Sequence, residues 1–315
     1  MLFAALAGAC SSTQGTSDDT SAGALAAPAA ARGLPARLTV YDPHDRLGAD
    51  RAPVLANLEA AVADWSRWLD SRGTVWISLN VVDQTPTGRF AGGPGFHVFL
   101  ERRGDYRVYE SAAVHKMRTG ASTNDTVPDV IIDIDVDFMR RTYWIDPHPE
   151  TRATPVPSGK VDLVTVLAHE LGHGLGFMGK LDPKTGGVRD GTTVTLFDTL
   201  YMDSVRTHAP EAKSSAIASV YGGPLPMTFF EGENLEAKVM HDGHTFIAKL
   251  QPSQNLNHYG RFAADSTRES NLSFFGLMAG AWLVRPEDEG HGIRIRVGAL
   301  DAAVLASIGA PVAAP

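Results

Sequence analysis

The sequence has a single cysteine, Cys10, so no disulfide can form within the 315-residue chain. It lacks any apolar run of about 18 residues, the length that a membrane-spanning helix requires. It also lacks an excess of basic residues, since 28 Lys and Arg stand against 36 Asp and Glu. The resulting net charge of −8 argues against nucleic acid as a partner. The remaining composition, 43% hydrophobic and 20% charged, is ordinary for a globular protein of one large or two small domains.

The first twelve residues, MLFAALAGACSS, are apolar and small. They resemble the end of a bacterial lipoprotein signal, in which the cysteine after the small residues is lipidated. The short run and the lack of a basic residue before it depart from that pattern. The resemblance implies a signal and flexible tether over 1–34, a lipid anchor at Cys10, and a location outside the cytoplasm, on the cell envelope or secreted. The alternative is an Ala-rich tail with an incidental cysteine.

One predicted helix carries the residues that point to a chemistry. The segment 161–177, VDLVTVLAHELGHGLGF, spaces its apolar residues as one face of a helix and contains an H-E-x-x-H motif at 169–173. His169 and His173 lie one turn apart, so both imidazoles can bind the same metal ion. Glu170 beside them can take a proton from water at that metal. The pattern therefore predicts a catalytic zinc site.

The ends of this helix are marked by residues typical of helix termini. Ser158 is a candidate N-cap, and Asp162 suits the positive end of the helix dipole. Gly174 and Gly176 offer a stop directly after the second histidine. A bare H-E-x-x-H also arises by chance, but an amphipathic helix that ends in glycines favours a metal site over two histidines that merely lie on a helix.

Predicted strands and helices alternate along the rest of the chain. Strands are predicted at 37–41, 74–82, 130–138, 192–195, 225–230, 237–239 and 245–250, with a hairpin over 97–109. Helices are predicted at 52–69, 111–118, 196–205 and 299–308, and the Gly/Pro-rich segment 86–95 is predicted to be a loop. This order predicts an α+β fold in which a twisted mixed sheet packs on two long helices.

The segment 130–138, VIIDIDVDF, alternates apolar and acidic residues. This pattern predicts a strand with one buried face, which we expect to border a cleft over the metal helix. The acidic row of Asp133, Asp135 and Asp137 has two interpretations. It binds Ca²⁺ or basic substrate, or it is the solvated face of a strand near a sheet edge, where charge blocks unwanted pairing. The second interpretation is the more common case.

Two histidines do not complete a catalytic zinc site, which usually has three protein ligands and a water molecule. Many metzincin proteases place the third in H-E-x-x-H-x-x-G-x-x-H. Here Gly176 matches the glycine, but position 179 is also glycine, which excludes this compact form. The remaining candidates for the third ligand are Asp182, Asp190, Asp198, Glu231, Glu233, Glu236, His208, His241, His244 and His258.

Two later stretches carry a resemblance to a known family. His258 stands among turn-forming residues in NLNHYG at 255–260, and FGLMAG follows at 275–280. Together with the motif at 169–173, this pairing resembles a metzincin metalloprotease of the leishmanolysin type. In that group an inserted subdomain separates the third histidine from the helix, and a methionine-containing turn underlies the zinc.

The resemblance implies a ligand set and a role for each residue. It implies His169, His173 and His258 as ligands of Zn²⁺, Glu170 as the general base, and Met278 as the methionine of the turn. His241 and His244, in the HDGH sequence, are the main rivals of His258; they can form a second site or line the substrate cleft.

The expected organisation follows from these assignments. We expect a tether over 1–34, an N-terminal catalytic subdomain with the zinc helix over 35–178, and an insertion and C-terminal subdomain over 179–315. The expected activity is that of a zinc endopeptidase acting on protein or peptide substrates. The alternatives are a zinc hydrolase for a non-peptide amide or ester, and a surface-anchored binding module that retains a metalloprotease fold.

Overall fold

The structure, a computed structural model, describes residues 33–82, 90–180, 188–199, 235–241, 244–250, 277–278 and 292–313. At 235–241, 244–250, 299, 300 and 303 it describes the main chain alone. The expected strand at 225–230 and positions 1–32 of the expected tether, including Cys10, lie outside these residues. The last two positions of the expected tether belong to the fold instead, since Leu34 is buried in the core and Gly33 pairs with Asp70. Within the described ranges, no helix is both long enough and apolar enough to cross a membrane.

The described residues form eleven strands and five α-helices. The strands are β1 (Ala36–Tyr41), β2 (Val75–Val82), β3 (Ala91–Pro94), β4 (His97–Arg103), β5 (Tyr106–Ser111), β6 (Val130–Asp135), β7 (Tyr143–Trp144), β8 (Val161–Asp162), β9 (Thr193–Thr195), β10 (Leu235–His241) and β11 (His244–Leu250). The helices are α1 (Arg51–Ser66), α2 (Ala112–Thr119), α3 (Val136–Thr142), α4 (Leu163–Leu175) and α5 (Ala299–Ser307). The fold class is therefore α+β, as predicted.

The central sheet has four strands in the order β1-β2-β6-β3. β1, β2 and β6 run parallel, and β3 runs antiparallel to β6, so the sheet is mixed. Alternate apolar residues of β2 and β6, such as Leu79 and Ile132, are fully buried. Three smaller sheets accompany it: β4-β5-β9, β7-β8 and the hairpin β10-β11. The predicted hairpin over 97–109 is confirmed as β4-β5.

The two longest helices pack on each other beneath this sheet. α4 contacts α1 as well as the strands β3 and β6. Trp65 of α1 is fully buried, and its Nε1–H donates to the carbonyl of Ala168 on α4 at 2.8 Å. The predicted helices at 52–69 and 161–177 are thus confirmed, with slightly shorter bounds.

The prediction of one strand over 130–138 is only partly correct. β6 ends at Asp135, whose carboxylate accepts a hydrogen bond from the N–H of Phe138 at 3.0 Å and begins α3. Asp137 therefore lies on a helix. The acidic row is interrupted because an aspartate that can cap a helix competes with continued strand pairing.

The acidic row suggests a strand at or near a sheet edge, whereas β6 is an inner strand next to the terminal one. β6 sits between β2 and β3, and the outer strand beside α4 is β3. β3 falls inside the segment 86–95 that was predicted to be a loop. Its glycines permit the strand to approach α4 closely, since a Cβ on Gly92 would overlap the main chain of Glu170.

Candidate metal centre

The start of α4 is fixed by a buried aspartate. Asp162 is the N-cap. Its Oδ2 accepts two hydrogen bonds from Thr165, one from the main-chain N–H at 3.3 Å and one from the side-chain hydroxyl at 2.9 Å. The candidate cap Ser158 lies outside the helix, so that expectation is wrong. Arg152 is buried beside the cap and pairs with Asp162 at 2.5 Å and with Asp64 at 3.1 Å. This ion pair network joins the start of α4 to α1.

The end of α4 is a tight turn at a glycine. Gly176 has φ +130°, a value that L side chains rarely adopt, and its N–H bonds back to the carbonyls of Gly172 and His173. A Cβ at Gly176 would also lie 2.6 Å from Ile308 Cδ1. The other predicted stop, Gly174, is inside the helix, where a Cβ would overlap Val130 of β6.

The imidazole rings of the two motif histidines are neighbours on α4 and lie edge to face. Their ring centroids are 4.8 Å apart, with an angle of 86° between the rings. His169 Nδ1 lies 2.9 Å from the carbonyl oxygen of Leu277, and His173 Nδ1 lies 2.7 Å from that of Phe177. A carbonyl oxygen can only accept, so each Nδ1 carries the proton and each Nε2 carries the lone pair that can bind a metal.

Burial keeps both imidazoles neutral. It lowers the pKa of His169 to about 3, with a further lowering from His173, and it lowers the pKa of His173 to about 4. Neutral imidazole is the form that binds a metal, so neither ring has to lose a proton near pH 7. The main-chain bonds to Nδ1 match the outer-shell contacts that orient histidine ligands in metal sites.

Glu170 lies beside this pair and is held by the outer strand. Its Oε2 accepts a hydrogen bond from the main-chain N–H of Gly92 at 2.7 Å. Although part of the side chain reaches solvent, burial of the rest raises the pKa of Glu170 to about 7, and the bond from Gly92 works against that rise. A carboxylate with a pKa near neutrality suits a general base.

Two buried residues from the C-terminal part of the chain, a methionine and an aspartate, support the two histidines. Met278 is fully buried, and its Sδ would be 2.5 Å from a Cβ on Gly172, so the glycine within the motif makes room for it. Asp301 is also fully buried and accepts from the N–H groups of Leu277 and Met278, each at 3.0 Å. It accepts from Gly298 N–H as well, at 2.8 Å. Asp301 thereby fixes the carbonyl that orients His169.

Sequence reasoning missed two of these supporting residues. Asp301 carries a local signal, because it stands three residues after Gly298 at the start of a predicted helix, where acidic side chains cap main-chain N–H groups. The sequence offers no signal for its contact with the turn at 277–278. Gly92 was assigned to a loop, and its partner Glu170 is 78 residues away.

The structure brings His169, Glu170, His173 and Met278 together, whereas His258 lies outside the described residues. Asp198 and Asp190 accept main-chain hydrogen bonds instead, from Lys180 and Thr195 and from Thr192 and Thr193, respectively. His241 and His244 are partners in the register of β10 and β11, and only their main chain is described. Among the side chains that the structure describes, no three His, Cys, Asp or Glu cluster as a metal site.

Comparisons with known proteins do not identify a family for this chain. No protein-family model, curated protein or solved structure matches the chain.

Proposed function

We propose that this protein is a zinc-dependent endopeptidase. The observation that supports it most is the matched orientation of His169 and His173, each with its Nδ1–H bonded to a main-chain carbonyl and its Nε2 as the metal-binding atom. Glu170, the neighbouring carboxylate, has a pKa near 7. Two fixed neutral imidazoles beside a base supply two of the three usual protein ligands of a catalytic zinc site, together with its general base.

The residues described fit zinc better than harder cations. Imidazole nitrogen is a ligand that zinc accepts readily, whereas calcium and magnesium prefer oxygen. His169 and His173 would hold the ion, and His258 remains our proposed third ligand. Bound there, zinc supplies a Lewis acid that lowers the pKa of water towards neutrality.

In this proposal Glu170 moves the proton. Its carboxylate accepts a proton from the attacking water and then passes it to the nitrogen of the leaving amine. Gly92 N–H fixes Oε2, so Oε1 is the oxygen that we assign to this transfer. The hydrogen bond limits the rotation of the side chain, which keeps the base oriented before substrate arrives.

A peptide substrate is favoured by the strand beside the base. β3 is the terminal strand of the central sheet and contacts α4 where Glu170 lies. An extended polypeptide can pair with the main chain of such a strand. We therefore propose exposed or unfolded protein segments as substrates. We also propose a lipid anchor at Cys10 and a location outside the cytoplasm.

The test begins with metal content and activity of the full chain. Mass spectrometry should find about one zinc per chain in wild type, and loss of zinc in His258→Ala but not in His244→Ala. Wild type should cleave an unfolded protein such as casein, and Glu170→Gln should keep its zinc while losing that cleavage. Wild type that holds zinc but cleaves no polypeptide would contradict the proposal. Loss of zinc in His244→Ala alone would contradict the ligand assignment.

A further inference from the structure

The main-chain groups of β3 alternate between its two edges. In an antiparallel pair, every second residue bonds to the partner strand and the residues between point away. Gly95 N–H donates to the carbonyl of Asp129, just before β6, at 3.0 Å. Position 93, two residues earlier, therefore also faces β6, and positions 92 and 94 face the outer edge. The bond from Gly92 N–H to Glu170 agrees with this assignment.

The outer edge of β3 is rich in acceptors and poor in donors. Gly92 offers a carbonyl and an N–H, but its N–H is already given to Glu170 at 2.7 Å. Pro94 offers a carbonyl and has no N–H at all. Within β3, the donors of a normal strand edge are thus either engaged or missing. Among the residues that the structure describes, no hydrogen bond is found to the carbonyls of Gly92 and Pro94, which can therefore act as acceptors.

We infer that β3 recognises its substrate through main-chain acceptors alone. An extended peptide beside it donates two N–H groups, from residues two positions apart, to the carbonyls of Gly92 and Pro94. The N–H of Gly92 stays with Glu170 and orients the base, so Gly92 acts as a positioning residue. This inference rests on the proposed endopeptidase function and specifies its substrate class.

The chemical consequence is a requirement for secondary amides at two sites of the substrate. Proline or an N-methylated residue at either site removes a donor and leaves a strand carbonyl unpaired. The same change at the residue between them removes nothing that β3 uses. Small esters and isolated amides, which lack two N–H groups in this spacing, make at most one of these bonds.

The first experiment tests the Gly92 bond without any substrate. Amide hydrogen exchange at Gly92 is compared in zinc-loaded wild type, Glu170→Gln and Glu170→Ala. The glutamine side chain retains an acceptor, so protection should persist, whereas the alanine side chain has none and exchange should accelerate by about fivefold or more. Equal exchange in the two variants would overturn the assignment of this N–H to Glu170.

The second experiment tests recognition by binding, with a peptide that wild type cleaves and the inactive Glu170→Gln protein. N-methylation at two positions two residues apart should weaken binding about fivefold or more, with little effect at the position between. Glu170→Ala frees the Gly92 N–H and should bind the parent peptide about two- to tenfold more tightly than Glu170→Gln. Pro94→Ala in the Glu170→Gln background adds a donor and should give a similar gain.

The outcomes separate the two proposals. Uniform sensitivity to N-methylation, or no gain from either added donor, would overturn acceptor-only recognition while leaving the endopeptidase proposal intact. If wild type cleaves no peptide, the proposed function fails and the substrate requirement fails with it. The exchange result at Gly92 then still decides the positioning of Glu170.

Discussion

Met278 Sδ lies 2.5 Å from the place where a Cβ on Gly172 would stand. The glycine inside the H-E-x-x-H motif therefore has a steric role, since it lets a buried methionine pack against the helix between the two histidines. Any larger residue at 172 must displace Met278 or move α4 away from it. The motif and the turn at 277–278 are thus complementary in shape as well as adjacent.

Gly172→Ala should destabilise the protein by about 1–3 kcal/mol, because a methyl group added to a well-packed interior forces its neighbours to shift. Urea unfolding measures this free energy. Met278→Ala removes the obstructing side chain and should itself cost about 2–5 kcal/mol. In the double variant, the added cost of Gly172→Ala should be smaller than in wild type. Additive costs would show that the two side chains do not compete for the same space.

Asp301→Asn should weaken the zinc binding that we propose by about 10- to 100-fold, the usual effect of removing an outer-shell partner. The amide presents an NH₂ group to one of the two N–H donors at 277–278, which frees the carbonyl of Leu277 to move away from His169. Competition with a chelator measures the affinity. Asp190→Asn is the matched control, because Asp190 also accepts two main-chain N–H groups in an exposed turn. Equal losses in both variants would contradict a specific role for Asp301.

Arg152→Met should destabilise the fold by about 3–5 kcal/mol. The change removes the buried cation that Asp64 and Asp162 share and leaves them, among the described residues, only the more exposed Arg67, Arg294 and Arg296. Breaking a buried ion pair costs more than the pair itself contributes. Chemical denaturation measures the loss. Arg103→Met is the control, because Glu101, its partner, is 46% exposed, and an exposed pair contributes about 0–1 kcal/mol. A cost below about 1 kcal/mol for Arg152→Met would contradict the argument.

His97 should make the protein acid-sensitive. Burial, and then the charge of Lys180, lower the pKa of His97 to about 4, whereas histidine in an unfolded chain has a pKa of about 6.5. As the pH falls, the unfolded chain takes up the proton first. The contribution of His97 to the free energy of unfolding is therefore greatest above about pH 6.5 and is lost progressively as the pH falls towards about 4.

The measurement compares unfolding free energies at pH 7 and pH 5. The loss between these values should be about 1–2 kcal/mol smaller in His97→Gln than in wild type. His148→Gln serves as the control, since the His148 side chain is 69% exposed. The same pH dependence in wild type and His97→Gln would show that His97 does not carry this sensitivity.

Much of the local structure could be predicted because it depends on near neighbours. The helix around 169–173 follows from its apolar spacing, and its end follows from Gly176, which alone accepts the φ of that turn. The helix at 299–308 and the hairpin at 97–109 follow from the same kind of local pattern. The position of His169 and His173 one turn apart on the same face is a consequence of helical geometry.

The sequence by itself therefore determined the helix α4, its pair of histidines and the carboxylate of Glu170 beside them, since each depends on residues a few positions apart. Only the tertiary structure decided which strand borders Glu170, that Asp162 rather than Ser158 caps α4, and that Asp301 fixes the turn beneath His169. These features depend on contacts between residues far apart in the chain. The glycine-rich segment at 91–94 becomes a strand by pairing with the distant β6 and lies close against the main chain of α4. The buried Asp301 binds the N–H groups at 277–278 only once distant segments are packed together.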